Sequence, residues 1–178
     1  NPYKETDDTD PTNFYGLTKL NGEKEIQKLM PINAIIIRAG WIYSEYGNNF
    51  VKTMLRLGKE KNNIDIVVDQ IGSPTYAKDL ANLILKIITD INYLRKSNPT
   101  EIYHFSNQGE VSWYEFAKEI FKMSHINCLI NPIKSKQYPT LAARPRYSVM
   151  DKKKIIENLD VKLIEWKSSL KECLKSEL

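Results

Sequence analysis

The chain has 178 residues, of which 42% are hydrophobic, and its 26 basic and 22 acidic side chains leave a net charge of +4. This balance excludes the disordered and fibrous classes and fits an ordinary globular domain that can bury a core. The longest apolar runs are too short to span a bilayer, so we expect no membrane contact and a cytoplasmic location.

The positive charge is carried by scattered lysines, with one short run at Lys152–Lys154. We interpret that run as a solvated helix face and expect no nucleic-acid partner. A modest positive balance also suits a substrate that carries a diphosphate. The two cysteines and two histidines do not have the spacing of metal ligands, so the sequence predicts no metal site.

Helical and strand patterns alternate along the chain. Residues 1–14 are rich in turn-forming residues and predict a loop, whereas apolar spacing over Tyr15–Met30 predicts a helix. The run Asn33–Tyr43 is continuously apolar and β-branched, as in a buried parallel strand. Further helices are predicted at 49–60, from 75 or 79 to 91, and at 112–123, 151–158 and 165–176, and further strands at 64–68, 102–106 and 128–133. Ser112 and Glu115 predict a capping box. The alternation indicates an α/β protein.

The seven glycines do not form a dinucleotide-binding fingerprint. No three of them have the G-x-G-x-x-G spacing that lets a backbone approach a pyrophosphate at a helix start. The first predicted strand also follows a helix, whereas a complete dinucleotide-binding domain begins with a strand and that turn. We therefore expect the chain to be part of a larger protein.

The most informative motif is Y-G-L-T-K at 15–19. Its spacing places Tyr15 and Lys19 on one face of a helix, within reach of a common ligand. A lysine ammonium beside a phenol favours the phenolate, which would let the tyrosine exchange a proton. The same spacing also occurs on ordinary amphipathic helices, so the pair alone does not establish catalysis.

Five segments in order carry a family resemblance. They are D-P-T-N-F-Y-G-L-T-K-L-N-G-E at 10–23, R-A-G-W-I-Y at 38–43, G-N-N-F-V-K-T-M-L-R-L at 47–57, V-V-D-Q-I-G-S-P-T at 67–75 and A-R-P-R-Y-S at 143–148. Together they resemble the dTDP-4-dehydrorhamnose reductases, which are extended short-chain dehydrogenases. The resemblance implies the C-terminal part of a Rossmann-like α/β protein. Residues 1–43 would be a remnant of the dinucleotide-binding domain, and residues 44–178 mainly a smaller substrate-binding lobe.

The resemblance also implies a reaction, the reduction of dTDP-4-dehydro-L-rhamnose to dTDP-L-rhamnose by NADPH or NADH. Tyr15 would donate a proton to the C4 alkoxide, and Lys19 would assist it and hold the nicotinamide ribose, with Gly40 also on the cofactor side. The family's third catalytic group, a Ser or Thr, would lie before Asn1, so we expect the isolated chain to be inactive. The resemblance is compatible with a homodimer and a divalent metal but assigns no residue to either.

Five further positions are candidates for substrate binding. The resemblance places Trp41 beside the sugar, where an indole can stack on a hexose; a core tryptophan is the alternative. Asn49 could present a helix N-terminus to the diphosphate or be an ordinary N-cap. Gln70 is expected on the nucleotide side. Arg144 and Arg146 flank a proline, and one guanidinium is expected on the diphosphate unless both form structural salt bridges.

Two alternatives remain open. A sugar-nucleotide epimerase or dehydratase of the same superfamily would share Tyr15 and Lys19 but not the later segments. A non-catalytic binding or regulatory subunit could keep the same fold, although the presence of Tyr15 and Lys19 argues weakly against it.

Overall fold

The computed structural model describes residues 1–90, 98–140 and 142–175. The α-helices of these residues are α1 (Phe14–Leu29), α2 (Phe50–Glu60), α3 (Ala77–Thr89), α4 (Trp113–Met123), α5 (Lys153–Leu159) and α6 (Trp166–Leu174). The strands are β1 (Ile35–Arg38), β2 (Ile42–Tyr43), β3 (Asn63–Val67), β4 (Ile71–Gly72), β5 (Thr75–Tyr76), β6 (Glu101–His104), β7 (Val111–Ser112) and β8 (Leu129–Ile133). The predicted α/β class is confirmed.

The strands associate in pairs. β1 with β6, β2 with β5 and β3 with β8 are parallel, whereas β4 with β7 is antiparallel. In the β1–β6 pair the last partners are Arg38 and His104. Because parallel strands end at the same edge, these two polar side chains meet there.

Two hydrophobic cores support these pairs. The larger core joins α2, α4 and α6 to β3 and contains Val51, Phe116, Ile120 and Leu170, each 0% exposed. The smaller core lies around β6, α3 and α5 and includes the fully buried Ile155. The predicted boundary between residues 43 and 44 stays a prediction, although β1 pairs with a strand from beyond it.

The capping box at α4 is confirmed. The Glu115 backbone N–H donates to Ser112 Oγ at 3.1 Å, and the Ser112 N–H donates to Glu115 Oε2 at 3.3 Å. This reciprocal pair satisfies two backbone donors that a helix start would otherwise leave unbonded.

The prediction of a single strand over Asn33–Tyr43 is wrong. The segment forms two separate strands, β1 and β2, because β1 pairs with β6 while β2 pairs with β5. Between them Trp41 has φ +50°, a left-handed conformation that no β-strand can continue. Burial is also partial, since Ile42 is 49% exposed.

Other element bounds differ by a few residues. The helix predicted to run to Ile91 is α3, which is described from Ala77 to Thr89, and Ile91 lies outside the described residues. The last helix begins at Trp166, and Ser176 likewise lies outside them. The two-residue strands β4, β5 and β7 were not predicted, because two residues carry no periodicity.

The lysine run at 152–154 is not a solvated face. Only Lys153 is exposed, since α5 packs against β6. Lys152 Nζ donates to Ser106 Oγ at 3.2 Å, and Lys154 Nζ donates to Glu101 Oε2 at 2.5 Å. Burial lowers the pKa of Lys152.

Candidate active site

Helix α1 presents the predicted catalytic pair. Asn13 caps the helix, its Oδ1 accepting the Gly16 N–H at 2.8 Å. Tyr15 follows in the first turn and is 68% exposed, and Lys19 Nζ lies 5.3 Å from the centre of its ring. The structure therefore brings Tyr15 and Lys19 together, as their spacing predicts.

The pair lies in a cleft of about 520 Å³, here called the Tyr15 cleft. Its walls come from the N-terminal loop, α1, the ends of β1 and β6, and a loop before α5. Residues from these walls include Asp10, Tyr15, Lys19, Arg38, His104 and Pro145. An exposed phenol and an ammonium thus share a cavity large enough for a small-molecule substrate.

A charged cluster that the sequence analysis missed borders this cleft. Arg38 donates to the Glu23 carboxylate through Nε at 2.8 Å and Nη2 at 2.6 Å, which ties β1 to α1. His104 Nε2 lies 3.5 Å from Arg38 Nη1, and His104 Nδ1 lies 3.1 Å from the Tyr3 carbonyl. Burial lowers the pKa of His104, the Glu5 carboxylate opposes that shift, and the Arg38 charge adds to it. The signal in the sequence was that Arg38 and His104 end two apolar strands.

A second cleft, here called the Trp113 cleft, has a volume of about 600 Å³. Aromatic and polar side chains line it together, among them Phe50, Gln70, Trp113 and Arg144. Gln70 Nε2 donates to Ser135 Oγ at 3.1 Å, so its position is fixed by a residue outside the sequence prediction. This mixture of an apolar wall and few polar groups is typical of small-ligand sites.

Next to Gln70, Asp69 also bonds to Ser135, the first residue of a short 3₁₀ helix at Ser135–Gln137. Its Oδ1 accepts from the Ser135 N–H at 2.8 Å and from Ser135 Oγ at 2.7 Å. These bonds hold the pKa of Asp69 below its usual value, and the Arg146 charge contributes less. Ser135, the hydrogen-bond partner of Gln70, is therefore held by bonds to an ionised carboxylate.

The two candidate arginines have different surroundings. Both are exposed, but Arg144 lines the Trp113 cleft and Arg146 does not. The Arg146 carbonyl accepts the Ile71 N–H at 2.8 Å, while Pro145 between the arginines lines the Tyr15 cleft. The loop at 143–148, here called the arginine-bearing loop, therefore contributes residues to both clefts.

Trp41 is engaged by a second tryptophan. Its ring stacks on Trp113 with centroids 3.4 Å apart and planes 7° from parallel. A Cβ at Gly72 would lie 2.5 Å from the Trp41 ring, so glycine is needed there. Trp113 occupies a face of the indole expected to meet the hexose, and it is Trp113 that lines a described cleft. The sugar contact of Trp41 stays a prediction.

Asn49 and Gly40 have structural partners. Asn49 Oδ1 accepts the Lys52 N–H at 3.1 Å and its Nδ2 donates to the Ser44 carbonyl at 2.6 Å, which favours the N-cap alternative. The Gly40 carbonyl accepts from Thr75 Oγ1 at 2.6 Å. A Cβ at Gly40 would meet nothing within 4 Å, so the space beside it is open.

With this geometry in place, the family can be assigned. The model of the RmlD substrate binding domain matches residues 1–178. The chain belongs to this family. A dTDP-4-dehydrorhamnose reductase from Aggregatibacter actinomycetemcomitans is 42% identical over 175 residues, covering 95% of this chain and 59% of the relative. The spore coat polysaccharide biosynthesis protein SpsK of Bacillus subtilis (strain 168) is 40% identical over 174 residues, with coverage of 98% and 58%.

Solved structures of two reductases resemble the fold of this chain over nearly its whole length. A crystal structure of a dTDP-4-dehydrorhamnose reductase from Clostridium acetobutylicum gives a TM-score of 0.91 at 38% identity, covering 99% of this chain and 60% of that one. A reductase from Bacillus anthracis, solved in complex with NADP, gives 0.87 at 38% identity, with the same coverage of 99% and 60%. The predicted family resemblance is confirmed, and the chain spans about three fifths of the length of these relatives.

The residues that the structure describes contain neither a cluster of metal ligands nor a membrane-spanning helix. No three His, Cys, Asp or Glu side chains are grouped as a metal ion would need. None of the described helices has both the length and the apolar character required to cross a membrane.

Proposed function

We propose that this chain is the substrate-binding part of a reductase that converts dTDP-4-dehydro-L-rhamnose to dTDP-L-rhamnose. The observation that carries the proposal is the exposed Tyr15–Lys19 pair in a cleft that shares the arginine-bearing loop with the aromatic cleft: Pro145 lines the first and Arg144 the second. The names of the relatives support the same substrate. Because the chain spans about three fifths of their length, residues outside it complete the site.

Tyr15 is the proton donor in this proposal. Its phenol lies in the Tyr15 cleft and can protonate the C4 oxygen of the sugar as the carbonyl is reduced. Lys19 Nζ, 5.3 Å from the centre of the Tyr15 ring, supports the negative charge left on the phenolate. The cleft residues therefore place the proton, while the electrons come from a cofactor.

A nicotinamide dinucleotide is the cofactor that this proposal places beside Lys19, in the Tyr15 cleft, and Gly40, which follows β1. Lys19 offers an exposed ammonium for the ribose hydroxyls, and Gly40 leaves open space beyond β1. When bound, NADPH or NADH supplies the hydride to C4. The seven glycines do not provide a phosphate-binding turn, so other residues must hold the pyrophosphate. A relative was solved in complex with NADP, and NADPH is therefore the first cofactor to test.

The nucleotide part of the substrate belongs to the Trp113 cleft. Arg144 offers a guanidinium that matches phosphate oxygens, and Gln70 offers an amide on the same wall. The rings of Phe50 and Trp113, with centroids 4.4 Å apart, form an apolar surface against which thymine can pack. The cytoplasmic location, the homodimer and the metal stay predictions.

Titration calorimetry with dTDP tests the substrate assignment. Loss of a charge-assisted hydrogen bond in Arg144→Ala should weaken binding roughly 10- to 100-fold. Arg56→Ala is the matched control, because Arg56 is exposed, pairs with Glu60 at 2.7 Å and lines neither cleft. Absence of saturable dTDP binding, or equal weakening by both substitutions, would contradict the assignment.

Turnover tests the role of Tyr15. In a protein that joins this chain to a cofactor-binding half, Tyr15→Phe should lower the rate of NADPH oxidation about 10²- to 10⁴-fold. Its dTDP affinity should stay unchanged, because the phenol is assigned to the sugar end of the substrate. Unchanged turnover in Tyr15→Phe would contradict the assignment of Tyr15 as the proton donor, whereas no turnover in the unsubstituted protein would favour the non-catalytic alternative.

A further inference from the structure

The side chain of Asn13 connects the catalytic helix to the arginine-bearing loop. Its Oδ1 accepts the Gly16 N–H at 2.8 Å, and its Nδ2 donates to the Ala143 carbonyl at 2.8 Å, across 130 residues of sequence. The two partners fix the orientation of the amide, since a backbone N–H requires the oxygen and a carbonyl requires the NH₂ group. One planar group therefore relates two distant segments.

The residues next to these contacts are those assigned to the reaction. Tyr15 lies two positions after Asn13, and Arg144 directly follows Ala143. Tyr15 and Pro145 line one cleft, and Arg144 lines the other. The Asn13 amide thus connects the segment of Tyr15, the proposed proton donor, to the segment of Arg144, which is proposed to bind the diphosphate.

The other side of the loop is fixed by strand β4. The Ile71 N–H donates to the Arg146 carbonyl at 2.8 Å, and the Ser148 N–H donates to the Ile71 carbonyl at 2.9 Å. Pro145 further restricts the backbone, because its ring fixes φ. Because Asn13 also bonds to Ala143, the backbone of the loop is held by hydrogen bonds on both sides of Arg144.

We propose that Asn13 is a positioning residue that holds Arg144 in register with Tyr15, an inference that rests on the proposed function. Among the usual N-cap residues, asparagine has both the acceptor for the helix and a second donor for Ala143. Serine keeps the cap and the net charge, but its single hydroxyl is too short to bond both groups. The cap and the bridge can therefore be separated by substitution.

Hydrogen exchange and calorimetry on the full chain test this role. Asn13→Ser should speed amide exchange in residues 142–148 while leaving the first turn of α1 protected, whereas Asn13→Ala should speed both. Asn13→Ser should also weaken dTDP binding about 3- to 10-fold, as expected for one lost hydrogen bond. Added to Arg144→Ala, it should cause no further loss, because the effect acts through Arg144.

The outcomes separate the two proposals. If the unsubstituted chain does not bind dTDP, the proposed function fails, and the exchange data alone decide whether the bridge holds the loop. Wild-type exchange at 142–148 in Asn13→Ser overturns the inference. It is also overturned if the loop loosens and dTDP affinity stays unchanged while Arg144→Ala weakens it. A cap with no positioning role would leave Asn13→Ser indistinguishable from wild type in both measurements.

Discussion

Helices α1 and α4 are stabilised in opposite ways. The shorter α4 has 11 residues and buries Phe116, Ala117, Ile120 and Phe121 in the larger core. The longer α1 has 16 residues, and none of its own side chains is fully buried. Most of its apolar side chains are exposed, Phe14 by 79% and Leu29 by 74%.

Polar contacts take the place of burial at α1. The Arg38–Glu23 ion pair fixes the middle of the helix, and Asn13 fixes its start. Hydrogen bonds specify direction and distance, whereas apolar contacts mainly specify proximity. Helix α1, which carries the proposed catalytic pair, is thus oriented by a few directional bonds, and α4 by close packing. Substitutions can test this difference.

The largest effect is expected in the packed region. Phe116→Ala, at a site that is 0% exposed, should lower the free energy of unfolding by about 3–5 kcal/mol because it removes a buried ring and leaves a cavity. Phe14→Ala removes the same ring from an exposed position and should change stability by less than about 0.5 kcal/mol. Urea unfolding followed by circular dichroism measures both. Similar losses for the two variants would show that α1 buries apolar surface in solution.

A smaller and more local effect is expected from the ion pair. Glu23→Gln leaves the half-buried Arg38 guanidinium without its carboxylate, a loss of about 1.5–3 kcal/mol for hydrogen bonds to a charged group. Amide exchange in α1 should rise while exchange in α4 stays as in wild type. The exposed pair Arg56–Glu60 supplies the control, because Glu60→Gln should have little effect. A uniform rise across both helices would argue against separate stabilisation.

The smallest expected effect is a pH dependence at the end of β6. Burial lowers the pKa of His104, so the unfolded chain, with a histidine pKa of about 6.5, binds this proton more readily than the folded protein. The resulting stabilisation is present above pH about 6.5 and is lost as the pH falls through the lowered folded-state pKa. Thermal unfolding between neutral and mildly acid pH should show this slope.

Two histidine variants assign that slope. His104→Asn should flatten it. His125→Asn is the matched control, an identical substitution at an exposed histidine, where asparagine tolerates the φ of +53°. A slope that persists in His104→Asn would assign the acid sensitivity to other groups.

Local features of the chain could be predicted from the sequence, and long-range ones could not. The Tyr15–Lys19 pair and the Ser112 cap depend on spacings within one helix turn, which the sequence fixes directly. The Trp41–Trp113 stack depends on the pairing of β2 with β5 and of β4 with β7, between segments far apart in the chain, and no local periodicity encodes that. The break after β1 was missed for the same reason.

The exposed face of α1 shows another limit of sequence patterns. An amphipathic spacing predicts that Leu17 and Ile26 face a core, but each is 41% exposed here. Periodicity indicates which side of a helix is apolar and does not identify what covers it. In the same way, Asn49 had two equally plausible roles until its contacts with Lys52 and Ser44 favoured the cap.

The stacked indoles of Trp41 and Trp113 also have an optical consequence. Two of the three tryptophans lie nearly parallel with centroids 3.4 Å apart, so their excited states should couple as an exciton pair. Such a pair produces a split band of opposite signs in the near-ultraviolet circular dichroism spectrum and quenches its own fluorescence. Because Trp113 lines the second cleft, a ligand that moves it would change this signal, giving the protein an intrinsic spectroscopic probe of cleft occupancy.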